Sequence, residues 1–258
     1  MRPVRPPAEL FDLTGSRAAV VGGTGVLGGR FAACLAAAGA EVTVLGRSAE
    51  RGEAVVEGIR DAGGRAAFVA VDATDRASVR DAAARVGRLD VLVAAPGVNS
   101  TTPFAEIDDA EWSRLLDVNL GSVFRLCQAF APLMAGRPGG ASIITVSSAS
   151  SGPPLSRVLG YGVAKAGVGN LTQYLARELA PDGIRVNAIV PGFFPAEQNR
   201  AVLTRERIDS IVGHTPMARL GEPEELDGVL LWLASGRASG FVTGALVRVD
   251  GGFSAMTI

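Results

Sequence analysis

Seven short apolar runs, alternating with stretches of helical periodicity, constrain this chain more than any other feature. They are AAVVG (18–22), EVTVLG (41–46), AAFVAV (66–71), LDVLVAA (89–95), ASIITVS (141–147), RVNAIV (185–190) and ALVRVD (245–250). Runs that are continuously apolar, rather than alternating, belong to strands covered on both faces. Strands separated by helices pair in parallel. The expectation is an α/β chain with one seven-stranded, doubly wound parallel sheet and helices on both faces.

Such a sheet uses nearly all of the 258 residues, and no linker-like composition divides them, so a single domain over residues 11–258 is expected. The first ten residues, MRPVRPPAEL, read as a flexible arm without the apolar stretch of a signal peptide. The segment Phe193–Leu220 interrupts the rhythm and is bounded by Pro and Gly. It falls at the carboxyl ends of the strands, where ligands bind in such sheets, and is read as a candidate substrate lid.

Composition removes several function classes. A net charge of -1 offers no basic footprint for nucleic acid, and no apolar run reaches the length of a membrane span, so neither partner is expected. Cys34 and Cys127 lie in apolar helical patterns and read as core residues, which suits a reducing, cytoplasmic compartment. His214 is the single histidine, so no histidine-based metal cluster is expected.

The first strand runs into Gly22 and then Gly23-Thr24-Gly25-Val26-Leu27-Gly28, which opens an apolar helix. Glycines permit positive φ and close backbone approach, while the helix N-terminus offers free N–H groups to a pyrophosphate. Strand, tight turn and helix together indicate a Rossmann-type fold binding a dinucleotide. The second strand ends in Gly46-Arg47, where an NAD enzyme would carry an acid for the ribose hydroxyls. Gly46 lacks a side chain to repel a 2′-phosphate and Arg47 can hold one bidentately, so NADP(H) is favoured over NAD(H). The alternative is that Arg47 only stacks on adenine, with dual cofactor use. Asp72, ending the third strand, is a candidate partner for the adenine amino group.

Tyr161 and Lys165 in YGVAK are four apart and share one helix face. Ser148 stands thirteen residues before Tyr161, and Asn119 lies in LLDVNLGSVF. With the glycine turn, this order and spacing resembles the short-chain dehydrogenase/reductase family across essentially the whole chain. The resemblance implies a catalytic tetrad of Asn119, Ser148, Tyr161 and Lys165. It also implies cofactor contacts from the glycine turn and from Ala95, Gly97, Pro191, Gly192 and Phe194, with Tyr161 and Lys165 touching the cofactor as well. Asn119 would position a water leading from Lys165 to solvent.

Departures from the family pattern are visible. Val21 replaces a threonine, Val26 a glycine, and Ala196 the threonine expected after Pro191; the turn after the fourth strand reads AAPG instead of carrying an asparagine. Within the family, PPLSRVLGY, PGFFPAEQNR, HTPMARLGEPEEL and VDGGFSAM are similar to gluconate or mannonate oxidoreductases.

The resulting expectation is an NAD(P)-dependent oxidoreductase interconverting a secondary alcohol and a ketone on a polyol, sugar or sugar acid. The alternatives are a biosynthetic ketoreductase acting on a polyketide-like or cyclic ketone, and a non-catalytic NADP-binding sensor. Candidate substrate contacts are Asn99, Gln198 and Asn199 for hydroxyls, Arg157 and Arg200 for an anionic group, Phe193 as an apolar wall, and His214. The resemblance implies a homotetramer or homodimer.

Overall fold

The computed structural model describes residues 4–194 and 204–256. A helical turn, α1 (Pro7–Leu10), precedes β1 (Arg17–Val21), α2 (Val26–Ala37), β2 (Glu41–Gly46), α3 (Ala49–Asp61), β3 (Arg65–Ala70), α4 (Arg76–Val86) and β4 (Val91–Ala94). Then come α5 (Asp109–Leu116), a π-helical turn (Asp117–Gly121), α6 (Ser122–Met134), β5 (Ala141–Val146) and α7 (Leu159–Leu179). The chain continues through β6 (Ile184–Pro191), α8 (Arg205–His214), α9 (Asp227–Ala234), α10 (Gly236–Ser239) and β7 (Leu246–Val249).

All seven strands pair in parallel, in the order β3-β2-β1-β4-β5-β6-β7. The apolar runs thus become the expected sheet. Because strand side chains alternate, each run feeds two apolar layers. In β1, Ala18 and Val20 face the layer with Phe31, Leu35 and Leu230, while Ala19 and Val21 face the layer with Leu126, Phe130 and Val168. Cys34 and Cys127 are buried in these two layers, and burial pushes both thiols up to about 12, so neither is a reactive thiolate at neutral pH.

Two expected elements change shape. The helical stretch after the fourth apolar run begins with a single 3₁₀ turn at Phe104–Glu106, and the helix proper starts where Asp108 accepts a hydrogen bond from Glu111 N. That helix is then interrupted by the π turn, with Asn119 at its centre. The expected fourth strand shrinks to four residues, since the AAPG turn leaves the ladder at Ala95. At the N-terminus, Glu9 O accepts from Arg237 and Leu10 O accepts from Ser235, which fastens the exit of α1 to the start of α10.

The strand order reverses between β1, paired to β2 on one side, and β4, paired to β5 on the other. Their carboxyl ends open a crevice between outgoing crossovers, the position at which such sheets bind ligands.

Phe130 is fully buried in α6 against the second layer. Phe130→Ala should lower unfolding free energy by about 3–5 kcal/mol, read from urea denaturation. A loss below about 1 kcal/mol would mean that this layer is loosely packed.

Candidate active site

The glycine turn is shaped by close approach. Gly22 has φ +82°, and a Cβ there would lie 2.5 Å from Ala95 O. A Cβ on Gly28 would lie 2.1 Å from Gly22 O, so the first turn of α2 packs directly on the loop that precedes it. Leu45 O accepts from Gly22 N and Gly23 N, holding the turn to the end of β2. Thr24 lies against Gly46, Leu27 packs on the apolar layer, and Val26 opens α2 at the surface behind Gly25, its N-cap. The result is a backbone cradle at a helix N-terminus that any side chain would fill, and it fits the pyrophosphate of a dinucleotide.

Arg47 is exposed at the end of β2. Asp72 accepts at Oδ1 from Thr74 N (2.9 Å) and Thr74 Oγ1 (2.7 Å). Those bonds hold its carboxyl below the usual carboxylate range, with smaller contributions from Arg47 and Arg125. Arg47 and Asp72 therefore lie near one another at the carboxyl ends of β2 and β3.

At the other end, α7 presents Tyr161 and Lys165 from one face. The helix lies close to the turn after β5: a Cβ on Gly162 would sit 2.9 Å from Ser150 O, so the glycine inside YGVAK lets the two approach. Ser148 Oγ accepts from Ser150 N (3.2 Å), which fixes the hydroxyl beside Tyr161. Lys165 is 3% exposed, and its Nζ donates to Val146 O (2.8 Å) and Pro96 O (3.3 Å) while lying 5.6 Å from the centroid of the Tyr161 ring. Its own carbonyl accepts from Ser147 Oγ (2.8 Å).

Burial pushes the Tyr161 phenol above its ordinary value, and the neighbouring Ser148 hydroxyl works against that shift. Burial also lowers the Lys165 ammonium to about 8, while its two carbonyl acceptors favour the charged form at neutral pH.

Asn119 is fully buried, and its side chain is committed to protein backbone. Nδ2 donates to Val98 O (2.9 Å) and Leu115 O (2.8 Å), and Oδ1 accepts from Val98 N (3.0 Å). The side-chain amide is thus a two-point clamp on the loop after β4. Gly97, next in that loop, lies between Asn119 and Lys165.

Pro191 ends β6, and Gly192 N donates to Val249 O (2.9 Å), aligning this turn with β7. The ring of Phe194 joins the apolar layer and packs on Gly221, and with Phe193 it also lines a small pocket there. Phe193 meets Phe253 edge-on at 5.0 Å, and His214 meets the same ring at 4.7 Å. Asn99 Oδ1 folds back onto Ser100 N (2.8 Å). Arg157 is exposed, with φ +64°. Gln198, Asn199 and Arg200 lie outside the described residues, as does Ala196.

The structure brings together Asn119, Ser148, Tyr161 and Lys165 with the glycine turn, across the carboxyl ends of β1, β4 and β5. Three contributors were absent from the sequence reading. The carbonyls of Pro96 and Val146 carry no side-chain signature. Arg207 of α8 donates from Nη2 to Ser156 O (2.7 Å) and from Nη1 to Ser156 Oγ (3.4 Å), and a basic residue with helical spacing gave no such signal. Among the described residues no group of three or more His, Cys, Asp or Glu side chains forms a metal site, and no helix is long and apolar enough to cross a membrane.

Comparison with known proteins places nearly the whole chain among relatives. Residues 25–254 match a family model described as enoyl-(acyl carrier protein) reductase. Gluconate 5-dehydrogenase of Gluconobacter oxydans is 34% identical, over 95% of this chain and 97% of that protein. Galactitol 2-dehydrogenase of Rhizobium johnstonii is 40% identical, over 95% and 98%. A crystal structure of a gluconate 5-dehydrogenase from Burkholderia cenocepacia, in complex with NADP and tartrate, superimposes with a TM-score of 0.92 at 34% identity, covering 98% of this chain and all of that one.

The desolvated ammonium gives a pH prediction. A lysine whose folded value is about 8 and whose unfolded value is 10.5 destabilises the fold below about 8, and that penalty is relieved as pH rises towards 10.5. The stability of the wild type relative to Lys165→Met should therefore be flat below pH 8 and improve between 8 and 10.5, measured by paired urea titrations. A slope of opposite sign would show that the carbonyl acceptors outweigh desolvation.

Proposed function

The chain belongs to the short-chain dehydrogenase/reductase family, and we propose that Tyr161, Ser148, Lys165 and Asn119 carry its chemistry, with NADP(H) preferred and a sugar acid as the substrate class. The reaction is the NAD(P)-dependent interconversion of a secondary alcohol and a ketone. The observation that carries the assignment is the convergence of the buried Lys165 ammonium, the Tyr161 phenol and the Ser148 hydroxyl where the β4 and β5 ends meet α7.

When bound, the cofactor supplies or accepts the hydride, and its oxidised ring adds a positive charge near the phenol. Tyr161 gives its proton to the substrate oxygen during reduction and takes it back during oxidation. Burial holds this proton on the phenol until charge is placed beside it, so the group acts as base only in the loaded site. Ser148 donates to the reacting oxygen and orients it, stabilising alkoxide character. Lys165 supplies positive charge under the phenol and reaches the ribose side of the crevice. Asn119 keeps the Val98 backbone, and with it Gly97, in the position that this approach requires.

Preference for NADP(H) rests on Arg47, an exposed guanidinium beside a glycine with no carboxylate at that strand end. The sugar-acid reading rests on a second pair of cations. Arg207 is bonded to Ser156, Arg157 is the exposed residue that follows it, and the segment carrying both Ser156 and Arg157 lies between Ser148 and α7. The NADP and tartrate complex of the Burkholderia cenocepacia protein and the name of the Gluconobacter oxydans enzyme point the same way. In this reading residues 193–220 form the lid, of which 193–194 and 204–220, including α8, are described.

Association as a homotetramer or homodimer in the cytoplasm belongs to the same proposal. Phe124 of α6 and Val163 and Tyr174 of α7 are exposed apolar side chains on helices that a second copy would cover.

Tyr161→Phe should cut kcat by roughly 10²–10⁴-fold while leaving the fluorescence-detected Kd for NADPH within a few-fold of wild type. Normal turnover in that variant would sink the mechanism. In a separate titration, Arg47→Ala should weaken NADPH binding by roughly tenfold to a hundredfold and leave NADH binding nearly unchanged. Equal losses for both cofactors would place the guanidinium on the adenine ring instead of the 2′-phosphate.

A further inference from the structure

Away from the crevice, α4 and α6 enclose a cleft of about 290 Å³ lined by Arg76, Val79, Arg80, Arg125, Gln128 and Ala129. Three guanidiniums therefore face one space, and no carboxylate lines it. Arg76 and Arg80 are one turn apart on α4, and Arg125 and Gln128 are one turn apart on α6, so each helix contributes a neighbouring pair from a single face.

The polar groups here are donors in excess of acceptors. Gln128 Oε1 already accepts from Arg76 Nη1, which leaves its amide nitrogen as a further donor. Arg125 Nη2 pairs with Asp117, but Arg125 Nη1 is buried and has no hydrogen-bond partner. Asp117 offsets the charge of Arg125, but among the described residues no carboxylate pairs with Arg76 or Arg80, and a buried N–H without an acceptor is costly. Both are relieved by one kind of occupant, a small oxyanion with several acceptor oxygens.

We propose that this cleft between α4 and α6 binds a phosphate group, as inorganic phosphate or as the phosphate end of a small monoester, at a site separate from the cofactor crevice. Arg76, Arg80 and Arg125 supply the charge and the Gln128 amide a fourth direction of donation. The tetrahedral oxyanion uses donors converging from two helices, which a chloride ion does not.

The test is calorimetric titration of the full-length protein with sodium phosphate, with sodium chloride at matched ionic strength as the reference. The wild type is compared with Arg76→Gln/Arg80→Gln and with Arg47→Ala. Both α4 arginines are exposed, and the melting temperature of the double variant in phosphate-free buffer checks its fold independently. The expected result is saturable phosphate binding to the wild type and to Arg47→Ala, weakened at least tenfold in the double variant. Ribose 5-phosphate in place of phosphate separates the two sources: tighter binding identifies a monoester, and equal binding identifies the free anion. Binding lost in Arg47→Ala but kept in the double variant would place the phosphate in the cofactor crevice and overturn the proposal. A heat indistinguishable from that of chloride would overturn it as well.

Discussion

One buried ammonium organises the catalytic end of this protein. Lys165 has left water almost completely, and its charge is tolerated because two carbonyls, Val146 O at the end of β5 and Pro96 O after β4, turn towards it. Those acceptors lie just where two neighbouring parallel strands cease to pair, so the ammonium replaces the missing ladder partners. It thereby fixes the spacing of β4, β5 and α7 in a single contact. Tyr161, one turn earlier on the same helix, takes its position from that contact, and Ser147 locks the helix from behind by donating to the Lys165 carbonyl.

The same dependence explains why the unusual AAPG turn is compatible with an intact site. A proline at position 96 removes a backbone donor, yet Lys165 requires only the acceptor that proline retains. The loop's remaining stability comes from the opposite side, where Asn119 grips both the N–H and the C=O of Val98. Reaching that far demands a local change in the helix. The π turn at Asp117–Gly121 adds a residue to the turn around Asn119, between two otherwise regular helices. Helix irregularity and loop order are thus two ends of one interaction.

Much of this was legible in the sequence, for identifiable reasons. Strands such as ASIITV are continuously apolar because both faces are covered, and the glycine turn is written in residues whose missing side chains are themselves the signal. Ser148, Tyr161 and Lys165 were legible because side-chain chemistry at fixed spacing is what a sequence records. Backbone acceptors are not recorded that way, so Pro96 O and Val146 O stayed hidden although the lysine depends on them. Asn119 was found, but its hydrogen-bond partners depend on a π turn that apolar periodicity does not encode. The packing of the Phe194 ring on Gly221 was equally hidden, because a glycine well downstream in the chain carries no mark of the ring it makes room for.

Substrate identity is harder to read for a reason internal to the chemistry. Proton and hydride transfer involve one carbon and one oxygen shared by every secondary alcohol, so the tetrad is indifferent to the rest of the molecule. Discrimination falls to the rim, where Arg207 joins α8 to the loop containing Ser156 through a backbone carbonyl and a hydroxyl. A bond to a carbonyl can form whatever residue bears it, so neither partner's identity announces the contact. The bond ties α8 to the segment that also carries Arg157, and a cation held near a reacting centre favours an anionic alcohol over a neutral one, more strongly as water is excluded. In the proposed reading, selectivity then belongs to how α8 meets its neighbour, a property of the assembled rim and not of any single residue in it.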